Sequence, residues 1–218
     1  MPNVVRKAWN RLLSRPSAFP SLLRQTALFG VGALLHPRWS ARNVRIQWGA
    51  TLLAEAPDAQ ISLGTDSILY ERARLEAYGQ GQISIGSGCI LGDVRIHSRE
   101  KIVLGSNVIT SWNVFIQDFD PHPIDPKDRQ RQVQGMVSHF FPKWKTPLSP
   151  PDALWSGSFP TQPISIGNNV WLGANVTILK GAEIGDDSIV STGSVVTSGQ
   201  YPPRSILAGV PARVIRSL

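Results

Sequence analysis

Aliphatic residues recur at every sixth position near the end of the chain. They are Ile166, Leu172, Ile178, Ile184, Val190 and Val196. The fourth residue after each of the first five is small or β-branched, namely Val170, Val176, Ala182, Ser188 and Ser194. A helix repeats after about 3.6 residues and a strand buries alternate residues, so neither explains a period of six. Two inward positions and a corner in every six residues predict a parallel β-helix of flat sides.

The residues between the inward positions are suited to tight corners. The run Gly167-Asn168-Asn169 follows Ile166, and Gly185-Asp186-Asp187 follows Ile184. Gly and Asn adopt a positive φ at lower cost than other residues. We therefore expect each of these runs to turn the chain from one side of a triangular prism to the next.

The same pattern is present earlier in the chain, but with irregular spacing. The pattern recurs in Ile61-Ser-Leu63-Gly64, Ile83-Ser-Ile85-Gly86 and Leu104-Gly-Ser-Asn-Val108. The repeat stops after Ile116 and resumes at Ile164. We therefore predict a β-helix domain over residues 44–218, interrupted by a long protruding loop over residues 123–162. This loop is rich in Pro, aromatic and basic residues, which favours a side loop that folds over an active site, with exposed decoration as the alternative.

Positive charge is concentrated before the repeats begin. The formal net charge is +7, and residues 1–50 hold eight basic side chains and no acidic one. Residues 1–43 are predicted to form a basic, helical N-terminal segment. It can cap the open end of the prism, or it can lie on an anionic membrane surface. Nucleic acid is not expected as a partner, because the repeats themselves carry no basic stripe.

The single cysteine and the hydropathy of the chain bear on its location. Cys89 lies at a small inward position of its repeat, so a packed thiol is a better interpretation than a nucleophile. No apolar run approaches the ~20 residues that span a bilayer, and the N-terminus lacks the pattern of a secretion signal. We expect a cytoplasmic protein, with the inner face of the membrane as a further option.

A histidine stands at the junction between the repeats and the loop. The sequence there is Asp118-Phe-Asp120-Pro-His122-Pro123. Imidazole titrates near neutral pH, so it suits general-base catalysis, which is typically worth about 10²–10⁴ in rate. We predict His122 as a catalytic base, with Asp118 or Asp120, or a backbone carbonyl, orienting its ring.

The motifs together resemble those of the hexapeptide-repeat acetyltransferases, of the galactoside, maltose and polysaccharide O-acetyltransferase type. His122-Pro123, the segment Ile166 to Gly173 and the ending Ala208 to Ile215 carry this resemblance, which covers about residues 44–218. It implies a left-handed parallel β-helix, a homotrimer with shared sites, and O-acetyl transfer from acetyl-CoA without a metal.

The resemblance also implies roles for individual residues. His122 matches the catalytic base of the family, and Trp171 matches the aromatic residue beside the acetyl and pantetheine arm. The remaining positions that match contacts to coenzyme A are Ala174, Thr192, Thr197, Arg213 and Arg216. Arginine suits the phosphate end, because its planar fork bonds two oxygens at once.

The acceptor side departs from the family pattern. The sugar-binding asparagine of the family falls near Leu91, and Asp93 is the nearest polar candidate. Ser198 stands where a lysine often follows the Thr197 position. We predict Asp93 and Trp144 of the loop as acceptor contacts, and a surface polysaccharide or its lipid-linked precursor as the acceptor.

Three other functions fit the repeats. A xenobiotic acetyltransferase acting on an antibiotic hydroxyl would share the histidine and the coenzyme A groove. A non-catalytic scaffold would need neither the histidine nor the coenzyme A groove. A γ-type carbonic anhydrase would need three histidines on zinc. Only His97 and His122 of the four histidines lie in the repeats.

Overall fold

The protein is a parallel β-helix, as the period of six predicts. A computed structural model describes residues 39–41, 43–139 and 159–218. The predicted helices of residues 1–38 and the loop residue Trp144 lie outside the described residues. The first strand, Trp39–Ala41, already pairs with the strand at 60–63, so the coil begins slightly before the predicted residue 44.

Three parallel sheets form the three sides of the prism, and successive strands of the chain belong to successive sheets. Sheet A contains β1 (Trp39–Ala41), β4 (Gln60–Leu63), β7 (Gln82–Ile85), β10 (Lys101–Leu104), β13 (Ile164–Ile166), β16 (Ala182–Ile184) and β19 (Gly199–Tyr201). Sheet B contains β2 (Arg45–Ile46), β5 (Ile68–Leu69), β8 (Ile90–Leu91), β11 (Ile109–Thr110), β14 (Trp171–Leu172), β17 (Ile189–Val190), β20 (Ser205–Gly209) and the antiparallel β21 (Ala212–Ser217). Sheet C contains β3 (Thr51–Ala54), β6 (Arg74–Ala77), β9 (Val94–Ser98), β12 (Val114–Gln117), β15 (Thr177–Leu179) and β18 (Val195–Val196).

The core is a column of stacked aliphatic side chains. Ile166 and Ile184 are adjacent in sheet A, and Leu172 and Val190 are adjacent in sheet B. All four are at most 3% exposed. Because each inward position stacks on the same position of the next coil, the period of six sets both the fold and the register.

The corners are built as the sequence predicts. Asn169, Asn175 and Asp187 have φ between 55° and 58°. Neighbouring coils are joined at the corners by side chains, as where Asn169 Nδ2 donates to Asp187 Oδ1 at 2.8 Å. Cys89 is fully buried, with Sγ 3.2 Å from the Gly105 carbonyl, which confirms the packed thiol. Burial raises its pKa.

Candidate active site

The loop leaves the prism at the corner between sheets C and A, directly after β12. Its two ends pair with each other: the Asp120 N–H donates to the Pro160 carbonyl at 3.0 Å, and the Gln162 N–H donates to the Asp118 carbonyl at 2.9 Å. The Asp120 carboxylate forms an ion pair with Lys180 on the next coil. The chain entering the loop is therefore fixed to the prism just before it reaches His122.

The loop begins with a helix that the sequence analysis did not predict, α1 (Pro126–His139). Asp125 caps it, because its Oδ1 accepts from the N–H groups of Lys127 at 2.9 Å and Asp128 at 3.0 Å. Pro126 has no N–H to satisfy and suits the first turn of a helix. The Asp-Pro pair is the sequence signal from which this helix could have been predicted.

Two side chains of helix α1, Arg129 and Gln132, form hydrogen bonds with the segment that contains His122. Arg129 Nη1 donates to the carbonyls of Pro123 at 3.0 Å and Ile124 at 2.9 Å. Gln132 is 1% exposed, and its Oε1 lies 2.9 Å from His122 Nδ1. Its Nε2 donates to the Pro121 carbonyl at 3.5 Å, which leaves Oε1 facing the imidazole.

This contact determines which imidazole nitrogen is available as a base. An amide oxygen only accepts hydrogen bonds, so Nδ1 of His122 must carry the proton when the ring is neutral. The lone pair is then on Nε2, and the His122 side chain is exposed to solvent. The tautomer of the neutral His122 ring is thus set by a buried partner, with the unprotonated Nε2 on the other side of the ring.

Within the described residues, neither predicted aspartate forms a hydrogen bond or an ion pair with the His122 ring. Asp118 is fully buried and accepts hydrogen bonds from Ser98 Oγ at 2.7 Å, the Arg99 N–H at 2.8 Å and the Glu100 N–H at 3.1 Å. It therefore fixes the turn between β9 and β10. Burial raises the pKa of the Asp118 carboxyl, and these hydrogen bonds oppose that rise. The partner of His122 is Gln132, which the prediction missed because the hydrogen bond depends on an unpredicted helix.

The positions expected to bind coenzyme A lie mostly along sheet B and its edges. Trp171 is on β14, 49% exposed, and its Nε1 lies 3.4 Å from Ser111 Oγ. Ala174 and Thr192 lie at the corner between sheets B and C, in successive coils. Ala174 and Thr192 thus lie at one edge of the prism, and Trp171 is on the strand that leads to this edge.

The two arginines lie on the terminal strand β21. Arg216 pairs in register with Ile206 of β20, while Arg213 pairs with Ala208. Strand order places Arg216 three strands from Trp171, or about 14 Å at the usual spacing of about 4.8 Å. Thr197 is separate from this row, because it follows β18 at the corner between sheets C and A, where its carbonyl accepts from Tyr201 Oη at 3.1 Å.

The predicted acceptor residue Asp93 lies at the corner between sheets B and C. Its carboxylate is 3.6 Å from Arg72 Nη1, and the Asp93 side chain is 20% exposed. Within residues 43–139 and 159–218, no group of three His, Cys, Asp or Glu side chains is arranged to hold a metal ion. No helix in these ranges is long and apolar enough to cross a membrane.

Comparisons with known proteins show similarity to hexapeptide-repeat proteins and O-acetyltransferases. A family model described as the hexapeptide repeat of succinyl-transferase matches residues 163–198. The chain is 32% identical over 160 residues to WbbJ of Escherichia coli K12, provisionally named a lipopolysaccharide biosynthesis O-acetyl transferase, covering 73% of this chain and 72% of that protein. It is 49% identical over 63 residues to the galactoside O-acetyltransferase of the same organism, covering 29% and 30%.

Solved structures show the same fold. The N-acyltransferase AntD from Bacillus cereus, in complex with dTDP and 3-hydroxybutyryl-CoA, superposes with a TM-score of 0.60 at 19% identity, covering 88% of this chain and 87% of that one. A Vibrio cholerae acetyltransferase complexed with acetyl coenzyme A gives 0.50 at 21% identity, covering 85% and 75%. With the extended match to WbbJ, the chain belongs to the family of hexapeptide-repeat acetyltransferases.

Proposed function

We propose that this protein transfers an acetyl group from acetyl-CoA to a hydroxyl of a sugar, with His122 as general base. The observation that carries the proposal is the match to WbbJ, an O-acetyl transferase by name, over 72% of its length. The hydrogen bond between Gln132 and His122 supports the assignment of the base. Both names favour a sugar over an antibiotic as the acceptor, and the name of WbbJ favours a surface polysaccharide or its precursor.

The proposed reaction is a direct transfer in one complex of both substrates. His122 Nε2 takes the proton of the acceptor hydroxyl while its oxygen forms a bond to the thioester carbonyl carbon. The C–S bond then breaks, and the proton passes from His122 to the departing sulfur to give free coenzyme A. A backbone N–H stabilises the intermediate oxyanion. Cys89 is fully buried, so it is unsuited to an acyl-enzyme route.

Gln132 acts in this scheme as a positioning residue. We expect Gln132→Leu to lower acetyl transfer at least about 10-fold, because His122 would populate both tautomers and its ring could turn away. Gln132→Glu keeps an acceptor at Nδ1 and should retain more activity than Gln132→Leu. Gln130→Leu, at an exposed glutamine of the same helix, is the matched control. Equal activity of both leucine variants in a thiol-release assay would contradict the role of Gln132.

The donor site is proposed to follow sheet B. Trp171 would contact the acetyl and pantetheine end, and Arg213 and Arg216 would contact the phosphates. The distance of about 14 Å between the rows of Trp171 and Arg216 suits an extended ligand. Ala174 and Thr192 would contribute corner N–H groups to the pantetheine amides.

The acting unit is proposed to be a homotrimer with sites between subunits. His122 extends from the corner between sheets C and A, while Trp171 lies on sheet B, the side opposite that corner. Sheet B also presents a row of partly exposed apolar side chains in register, which is suited to contact with a second copy. The row is Ile68, Ile90 and Ile109, in the coils before Trp171 and the proposed donor site.

A shared site predicts that two inactive variants restore activity when mixed. Subunits with His122→Ala keep Trp171, and subunits with Trp171→Ala keep His122, so some interfaces of a mixed ring carry both residues. In a ring of three that contains both variants, one of the three sites carries both intact residues, so the mixed oligomers should show about a third of the wild-type activity. The two variants, co-expressed with different tags and purified over both, should exceed either variant alone. Mixed oligomers without recovered activity would show that each site lies within one subunit.

A further inference from the structure

The outer face of sheet C carries two arginines side by side without acidic partners. Arg74 of β6 and Arg95 of β9 are in register on neighbouring parallel strands, and both side chains are exposed. Neighbouring strands lie about 4.8 Å apart, and like charges at adjacent positions of a sheet are unfavourable. Within residues 43–139 and 159–218, neither guanidinium forms a salt bridge.

The carboxylates on this face are occupied by other groups. Glu76 accepts a hydrogen bond from Tyr78 Oη, and its Oε2 lies 3.5 Å from His97 Nε2. Asp93 pairs with Arg72 at 3.6 Å. Burial lowers the pKa of His97, the Glu76 carboxylate opposes that fall, and Arg95 and Arg74 add smaller contributions that lower it. The Glu76 carboxylate therefore offsets part of the charge of the two arginines, and a net positive charge remains on this face.

The row that contains the two arginines leads towards the loop that carries His122. Phe115 of β12 is the next residue of the row after Arg95, and its ring meets that of His97 edge-on, with 5.5 Å between centroids. Strand β12 continues directly into the segment that ends at His122. Two cations and an aromatic side chain thus lie side by side near the start of the sheet C strands, and the base lies beyond the other end of β12.

We propose that Arg74 and Arg95 bind the phosphate of a phosphorylated sugar acceptor, whose sugar portion lies against Phe115 and extends along β12 towards the end that carries His122. A guanidinium pair offers bidentate hydrogen bonds to phosphate oxygens, and the anion would remove the repulsion between the arginines. The phosphate belongs either to a sugar monophosphate or to a sugar linked through a diphosphate. This proposal rests on the proposed acetyl transfer for its placement of the acceptor, but binding of the phosphate does not require catalysis.

The binding test compares glucose 1-phosphate, UDP-glucose and glucose by calorimetry at fixed ionic strength, without acetyl-CoA. We expect one or both phosphorylated ligands to bind at least about 10-fold more tightly than glucose, since charge-assisted hydrogen bonds are the stronger class. The Arg74→Gln/Arg95→Gln variant should lose this preference. Preference for glucose 1-phosphate would indicate a monophosphate site, and preference for UDP-glucose a diphosphate site. Equal binding of all three by the wild type would overturn the proposal.

The control variant removes the same charge elsewhere. Arg45→Gln/Lys101→Gln alters two exposed cations on sheets B and A and should retain the preference. Loss of binding in both double variants would show a general charge effect and overturn the proposal. So would a change of oligomeric state in Arg74→Gln/Arg95→Gln alone, because the arginines would then belong to a subunit interface. Because the calorimetry uses no acetyl-CoA, failed phosphate binding can be distinguished from failed catalysis.

Discussion

Replacing His122 by Ala lowers kcat/KM for acetyl transfer by at least about 100-fold, the lower end of what general-base catalysis contributes. The imidazole is exposed and its one described side-chain partner is Gln132, so its loss should leave the prism folded. Thiol release from acetyl-CoA in the presence of acceptor measures the rate. Circular dichroism and the thermal midpoint check that the β-helix is retained.

The same assay tests whether His122 is the base and whether the loss of any loop histidine has the same effect. Full activity of His122→Ala would contradict the mechanism, because no base would then be needed at this position. His139→Ala, at the last residue of α1, is a matched control for the loss of an imidazole from the loop and should keep most of the activity.

Replacing Gly86 by Ala lowers the free energy of unfolding by at least about 3 kcal/mol, the upper range for overpacking of a tight site. Gly86 lies at the corner between sheets A and B, where successive coils touch backbone to backbone. A Cβ there would lie 2.5 Å from the carbonyl carbon of Gly105 in the next coil. The clash is relieved only if two coils separate, which also weakens the strand pairing on both sides. Urea denaturation followed by circular dichroism measures the effect.

Gly193→Asn is the matched control at another corner. A Cβ at Gly193 meets nothing within 4 Å, and its φ is 75°. Asn113 and Asn175 occupy the same place in two earlier coils, with φ of 54° and 57°. We expect a change within about 0.5 kcal/mol. If Gly86→Ala were as mild as this control, the close approach of the coils would not be the constraint described here.

The fold could be predicted because the residues of each repeat determine its local structure. An inward aliphatic residue, a corner and a second small inward residue are all local features, and Ile166 to Val190 repeats them without interruption. The first coil was placed a few residues late because Trp39–Ala41 lacks the repeat pattern and is a strand through pairing with β4. Pairing between coils depends on residues distant in sequence, which periodicity alone does not reveal.

The site was predicted less completely than the fold. His122 was identified from its position at the junction, but its partner was not, because Gln132 is ten residues away and reaches the ring only through helix α1. Asp118 and Asp120 are near His122 in sequence, yet both bind other groups. Asp118 accepts a hydrogen bond from Ser98 at the end of β9, and Asp120 forms an ion pair with Lys180. Arg74 and Arg95 are 21 residues apart, and only the register of sheet C makes them neighbours.

The central claim is O-acetyl transfer from acetyl-CoA to a sugar, and the most direct measurement of it is the product. The wild-type protein is incubated with acetyl-CoA and a panel of neutral and phosphorylated sugars, and each sugar is analysed by mass spectrometry before and after mild alkali. We predict an acetylated sugar that loses its acetyl group in alkali, as an ester does, formed in step with free thiol and absent with His122→Ala. An alkali-stable amide product, or thiol release without any acetylated acceptor, would contradict the account.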